Sequence, residues 1–171
     1  MTMFEDIPLT PASAGPILFV QFSDKLLTSD RRFRDYYQSV YSKVDGYFLP
    51  EHFMEIPYWI AVISGMLPRE AQRDLLVIDN MAEAVALLNG RYRDYIVMAS
   101  VMDANETFVR SLITATRNRF VLGGYTNQLA YRDLDRCVYL SKTEQLREVL
   151  PGLDTTRPPE YSLFNSLECI P

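Results

Sequence analysis

The sequence predicts an α/β domain, with one parallel β-sheet held between two layers of helices. Three observations lead there. Five short apolar runs recur along the chain: ILFVQF, LLVID, YIVMAS, FVLGG and CVYL. Each is followed by a stretch with helical signals, so strand and helix alternate, as crossover-connected parallel sheets require. The runs are apolar nearly throughout rather than alternating, which marks strands buried on both faces. A chain of 171 residues, 48% of them hydrophobic, suits one domain with a sizeable core.

The elements follow in order. Residues 1–16 are proline-bearing and aperiodic, and read as an N-terminal arm. Ile17–Phe22 is the first strand. Asp30 is placed to cap a helix from Arg31 to about Val44, with Phe33, Tyr36, Tyr37, Val40, Tyr41 and Val44 on one face. Asp45–Gly46 turns the chain. The segment from about Glu55 to Leu67 is apolar nearly all round, so a buried helix is expected, begun at Pro57 and stopped by Pro68. Leu75–Asp79 is the second strand, and Met81–Leu88 a short helix closed by Asn89–Gly90. Tyr95–Ser100 is the third strand, and Asn105 or Asp103 can cap the helix that runs on to about Arg117. Phe120–Gly124 is the fourth strand, Gln128–Leu134 a weaker helix, and Cys137–Leu140 the fifth strand. A last helix from Thr143 to Leu150 follows. Residues 17–150 thus form the α/β domain. Residues 151–171 are proline-rich and aperiodic, and read as a linker or wrapping segment. The expected topology is a three-layer sandwich with the flavodoxin-like (Rossmann-like) strand order 2-1-3-4-5.

Composition narrows the function. The net charge is −5 and no basic stripe stands out, so no nucleic-acid partner is expected. The longest apolar runs, IPYWIAVISGML and YIVMASVM, are too short to span a bilayer, so no membrane partner is expected. The N-terminus lacks a basic region followed by an apolar core, so a cytoplasmic protein is expected. Cys137 and Cys169 are the only cysteines, far apart and in no zinc-type spacing. His52 is the only histidine, and no G-x-S-x-G elbow accompanies it. The P-loop G-x-x-x-x-G-K-[ST] and the dinucleotide fingerprint G-x-G-x-x-G are both missing.

In this topology ligands bind at the carboxyl ends of the strands. The loops there begin with Ser23, Asp79, Ser100, Gly123 and Ser141. Small hydroxyls and glycines suit a large, mostly neutral ligand held by backbone contacts and a few hydroxyl hydrogen bonds. The Gly123–Gly124 pair at the end of strand four has two readings: a tight turn, or a close approach of ligand to backbone. Asp24, Asp79, Asp103 and Glu144 lie near this edge, each read as a cap or solvated charge. The loop FSDKLLTSD is a weak version of a phosphate loop, which leaves a flavin or small-metabolite binder as one further reading.

Six stretches, in order and at the right spacing, resemble a known family. EIPYWIAVISGML resembles the helix P-L-G-L-A-Y-L-A-A-x-L, and DLLVID the strand after it. RDYIVMASVMDANETFVRSLI resembles D-x-V-G-I-S-x-x-T and its helix, and FVLGGYTN resembles V-V-L-G-G-x-H-x-T. VYLSKTEQLREVL resembles V-x-G-E-G-E-x-x-L-x-E-L, and RPPEYSLFNSLECIP resembles P-D-Y-x-L-L. The family is the N-terminal cobalamin-binding domain of cobalamin-dependent radical S-adenosylmethionine enzymes of methyltransferase type. The resemblance implies a cobalamin over the strand ends. It would be held by Ser100, Val101, Met102 and Asp103 after strand three, by Gly123, Gly124, Tyr125 and Thr126 after strand four, and by Ser141 and Glu144 after strand five.

The sequence also departs from that family. Tyr125–Thr126–Asn127 replaces x-His-x, and LSKTE replaces the GEGE turn. The D-x-H-x-x-G signature that supplies a lower cobalt ligand is missing; His52, in the loop before the first core helix, is the candidate in its place. Tyr47, Phe48 and Phe53 are the candidates to face a cobalt with no protein ligand. No CxxxCxxC run is present, so this chain does not itself hold an iron–sulfur cluster. S-adenosylmethionine, a 4Fe-4S cluster and a radical domain on the same polypeptide are therefore implied for a longer parent enzyme only. The alternative is a domain of the same shape that serves, without cobalamin, as a structural or substrate-docking module.

Overall fold

In the computed structural model, five parallel strands form one sheet in the order β2-β1-β3-β4-β5. The strands are β1 Ile17–Phe22, β2 Arg73–Ile78, β3 Ile96–Val101, β4 Arg119–Gly124 and β5 Cys137–Tyr139. This is the flavodoxin-like α/β arrangement that the alternation of strands and helices predicts. The helices are α1 Asp24–Leu27, α2 Tyr58–Met66, α3 Met81–Asn89, α4 Glu106–Ala115 and α5 Leu146–Val149. The structure describes residues 15–27, 57–126, 128–150 and 152–166, with single positions at 29, 31, 34, 35 and 39. Residues 1–14 of the N-terminal arm and most of the helix expected over 31–44 lie outside the described residues.

Side chains alternate across a strand, so each apolar run supplies both faces of the sheet. Leu18, Val20, Val97, Ala99, Phe120 and Leu122 share one core with Ala84 and Leu88 of α3 and Val109, Leu112 and Ile113 of α4. Ile17, Phe19, Ile96, Met98 and Val121 share the opposite core with Ile60 of α2 and Leu146 and Val149 of α5. The chain steps one way from β1 to β2 and the other way from β2 to β3. Right-handed crossovers then send α2 to one face and α3 and α4 to the other.

Local chemistry sets the ends. The Asn80 side chain accepts from the backbone N–H groups of Ala82 (2.9 Å) and Glu83 (3.3 Å), which caps α3. Helix α4 begins after Asn105, but the Asn105 side chain does not cap it; it turns back to β3 instead. Expected helix Gln128–Leu134 is a 3₁₀ turn over Gln128–Tyr131. One turn is enough to bury the Tyr131 ring against Tyr139, with centroids 5.7 Å apart, and so short a segment gains little from completing an α-helix. The last helix likewise begins as a 3₁₀ turn, Thr143–Gln145, before α5.

The segment 152–166 wraps back over α2. The Asp154 N–H donates to the Met66 carbonyl and the Glu160 N–H to the Ala61 carbonyl, both at 2.9 Å. The Arg157 guanidinium donates to the Leu67 carbonyl. Arg73 on β2 joins helix and strap: one nitrogen donates to the Ser64 carbonyl at 2.7 Å, and the other pairs with Glu160 at 2.8 Å. Leu153, Leu163 and Phe164 pack against the α2-side core.

Candidate functional site

A groove of about 370 Å³ opens at the carboxyl ends of β3, β4 and β5, on the face that carries α2 and α5. Its floor follows from strand register. Met98 pairs with Val121, and Ser100 with Gly123. All four are an even number of residues apart along their strands, so they share the α2 face of the sheet. Met98 and Val121 make the inner, apolar row, and Ser100 and Gly123 the outer, polar one. Trp59, Val62 and Ile63 of α2 form one wall, with Trp59 held edge-on against Phe19 at 5.9 Å. Leu140 and Leu146 form the other, with Ser141 and Lys142 at the mouth.

The two glycines differ in what they do. Gly124 has φ +120°, and a Cβ there would stand 2.7 Å from the backbone nitrogen of Val101 and 2.9 Å from its carbonyl carbon. Glycine at 124 is required by the close approach of β4 to β3, with or without a ligand. Gly123 has no such demand. Its nearest neighbour to an added Cβ is the Leu140 carbonyl oxygen at 3.9 Å. Its bare Cα faces the groove floor.

Polar groups at the strand ends are paired from within. Asn105, only 5% exposed, donates from its side-chain amide to the Ser100 carbonyl (2.9 Å). Its side-chain oxygen accepts from the Met102 N–H (2.8 Å). The Gln145 side-chain oxygen accepts from the Ser141 N–H, the Ser141 hydroxyl and the Lys142 N–H, at 2.9, 3.1 and 3.1 Å.

Of the candidate residues, Ser100, Gly123, Gly124, Tyr125 and Ser141 come together around the groove. Tyr125 stands 95% exposed at its rim. Val101 does not face it: the side chain is fully buried in the opposite core. Met102 and Asp103 sit exposed in the following turn, outside the lining. Thr126 lies towards α4. Its N–H donates to the Tyr139 hydroxyl at 3.3 Å, and its hydroxyl is 3.4 Å from a Glu106 carboxylate oxygen. Glu144 is exposed and outside the lining, and Asp79 is exposed at the end of β2. His52, Tyr47, Phe48 and Phe53 lie outside the described residues.

The α2 wall was missed by attention to strand ends alone. Its signal was present: Trp59, Val62 and Ile63 recur at helical spacing, beyond the Ile60 and Ser64 stripe that packs on the sheet. Among the described lining residues Lys142 alone is charged, and none is a carboxylate, imidazole or thiol. Cys137 belongs to the opposite core, where burial pushes its thiol up to about 12. Burial also raises Tyr139, whose hydroxyl faces Thr126. Among the described residues no cluster of His, Cys, Asp or Glu side chains is arranged to hold a metal ion, and no helix is long and apolar enough to cross a membrane. Comparison with protein-family models, with curated proteins and with solved structures found no match to this chain.

Proposed function

We propose that the chain is a cobalamin-binding domain, with the ligand's nucleotide tail in the groove and its corrin ring over the strand ends. The observation that carries the reading is Gly123. The sheet has no internal need for glycine there, and the missing side chain opens the groove floor beside Ser100. The chemistry of the lining fits such a tail. Trp59, Val62, Ile63, Met98, Val121 and Leu146 would hold its aromatic base, and Ser100, Ser141 and Lys142 its polar end. Bound cobalamin supplies a cobalt that carries a methyl group; this chain's own part is to hold the cofactor and keep water from the buried part of it. The parent enzyme, on this reading, is a cytoplasmic radical methyltransferase, with S-adenosylmethionine and a 4Fe-4S cluster in another domain of the same polypeptide.

One observation favours a second reading, a ligand-free structural or docking module. Asn105 and Gln145 already satisfy the polar groups at the ends of β3 and β5, so the rim needs no ligand to complete its hydrogen bonds. Absorption titration of the purified protein with hydroxocobalamin separates the two. One equivalent bound with a spectral shift supports the cofactor reading. An unchanged spectrum, with the cobalamin passing freely through dialysis, overturns it.

A further inference from the structure

Helix α2 carries two jobs on two sides. Trp59, Val62 and Ile63 face the groove. Ala61 and Gly65, four residues apart, lie on another side and meet the strap 152–166. At about 100° per residue this side is turned well away from the groove. The strap contact is close. A Cβ on Gly65 would overlap the Pro158 carbonyl and stand 3.1 Å from the Pro159 Cα. Gly65 has no left-handed φ to account for it, so the glycine serves this approach alone.

The strap also completes the helix. Leu67 leaves α2 in an extended conformation and Pro68 follows, so α2 has no glycine cap to satisfy its last carbonyls. Three carbonyls at this end are met from outside. The strap takes Met66 and Leu67 through Asp154 and Arg157, and Arg73 takes Ser64 while gripping Glu160. The Arg73–Glu160 pair is partly shielded, with side chains 14% and 34% exposed. A groove wall whose end is capped by a distant segment holds its position only while that segment is docked.

We infer that the strap 152–166 governs ligand binding in the groove by clamping α2, so that strap docking and groove occupancy are thermodynamically linked. The inference rests on reading the groove as the ligand site. Linkage is reciprocal: whatever factor strap release costs in ligand affinity, bound ligand returns as protection of the strap.

Trp59 makes this measurable without ligand, because it is the only tryptophan and it sits in the α2 wall. The test uses the whole chain and two variants. Gly65→Ala places a methyl group against Pro158, while in the helix itself alanine is favoured over glycine. Glu160→Arg sets a like charge against Arg73. Cleavage of the Leu153–Asp154 bond by endoproteinase Asp-N reports strap release, since the Asp154 N–H is held on the Met66 carbonyl while the strap is docked, and circular dichroism confirms the fold. Both variants are expected to speed cleavage before Asp154, to shift Trp59 emission to longer wavelength, and to raise its quenching by acrylamide. Hydroxocobalamin affinity is expected to fall in both, by up to the factor with which saturating hydroxocobalamin slows wild-type cleavage. Faster cleavage with unchanged Trp59 emission overturns the inference, as does a strap that neither variant releases. If Trp59 responds as expected but wild type binds no hydroxocobalamin, the clamp stands and the cobalamin reading fails.

Discussion

Gly124 lies against the backbone of Val101, so close that a Cβ would come within 2.7 Å of the Val101 nitrogen. Its neighbour Gly123 meets nothing nearer than 3.9 Å. Two adjacent glycines therefore stand for different reasons, and their substitutions are expected to separate.

Gly124→Ala combines a positive φ with a backbone overlap, and is expected to cost more than about 1 kcal/mol of stability. Gly123→Ala is expected to cost nothing, or to stabilise by up to about 1 kcal/mol, since glycine weakens a strand. Urea denaturation of the two variants checks both signs. Equal losses would mean that Gly123 is held by a contact of its own.

Gly123→Leu places a branched side chain over the groove floor. We expect the fold and its unfolding midpoint to be retained and hydroxocobalamin binding to be lost. Gly124 cannot serve this purpose, because a substitution there disturbs the sheet whether or not a ligand passes nearby. Undiminished binding in Gly123→Leu would place the ligand elsewhere.

Asn105 ties the end of β3 to the turn that follows, through the Ser100 carbonyl and the Met102 N–H. Asn105→Ala leaves both without that partner and is expected to cost about 1–3 kcal/mol. Asn105→Asp keeps the acceptor for Met102 but sets a nearly buried carboxylate oxygen against the Ser100 carbonyl, so its loss should be at least as large. Denaturant midpoints rank the three proteins, and an alanine variant as stable as wild type would contradict this role.

Burial raises the Cys137 thiol from its ordinary 9.0 to about 12. Between those values the unfolded chain has lost a proton that the folded chain keeps. Stability from this group is therefore full below pH 9 and declines as pH rises through that window. Tyr131, also raised by burial, adds to the decline above pH 10. Cys137→Ala is expected to flatten the fall between pH 9 and 10 in denaturation midpoints measured against pH. The thiol should also resist alkylation at pH 8 until the protein is unfolded.

Much of the fold was legible because it is written locally. A strand buried on both faces must be apolar nearly throughout, and ILFVQF and IVMASV are; LLVI reads the same way but lies in β2 at the sheet edge, where only Ile78 is buried. The Gln128 segment was over-read as a helix because one buried ring, Tyr131, does the work of a longer apolar stripe. Of the site, Ser100, Gly123 and Ser141 were legible from their places at strand ends. Val101 was misplaced by treating a run of four residues as one rim; strand alternation turns it into the opposite core.

By itself the sequence determined the alternation of five strands with helices and the residues that end each strand, because periodicity and turn chemistry act over a few neighbouring positions. Only the tertiary structure decided which glycine serves the sheet and which faces a groove, that α2 makes the wall, and that the strap holds it. Those decisions rest on Gly124 against Val101, Gly65 against Pro158, and Arg73 against Glu160. Each pair joins residues far apart in the chain, and no local pattern carries the distance between them.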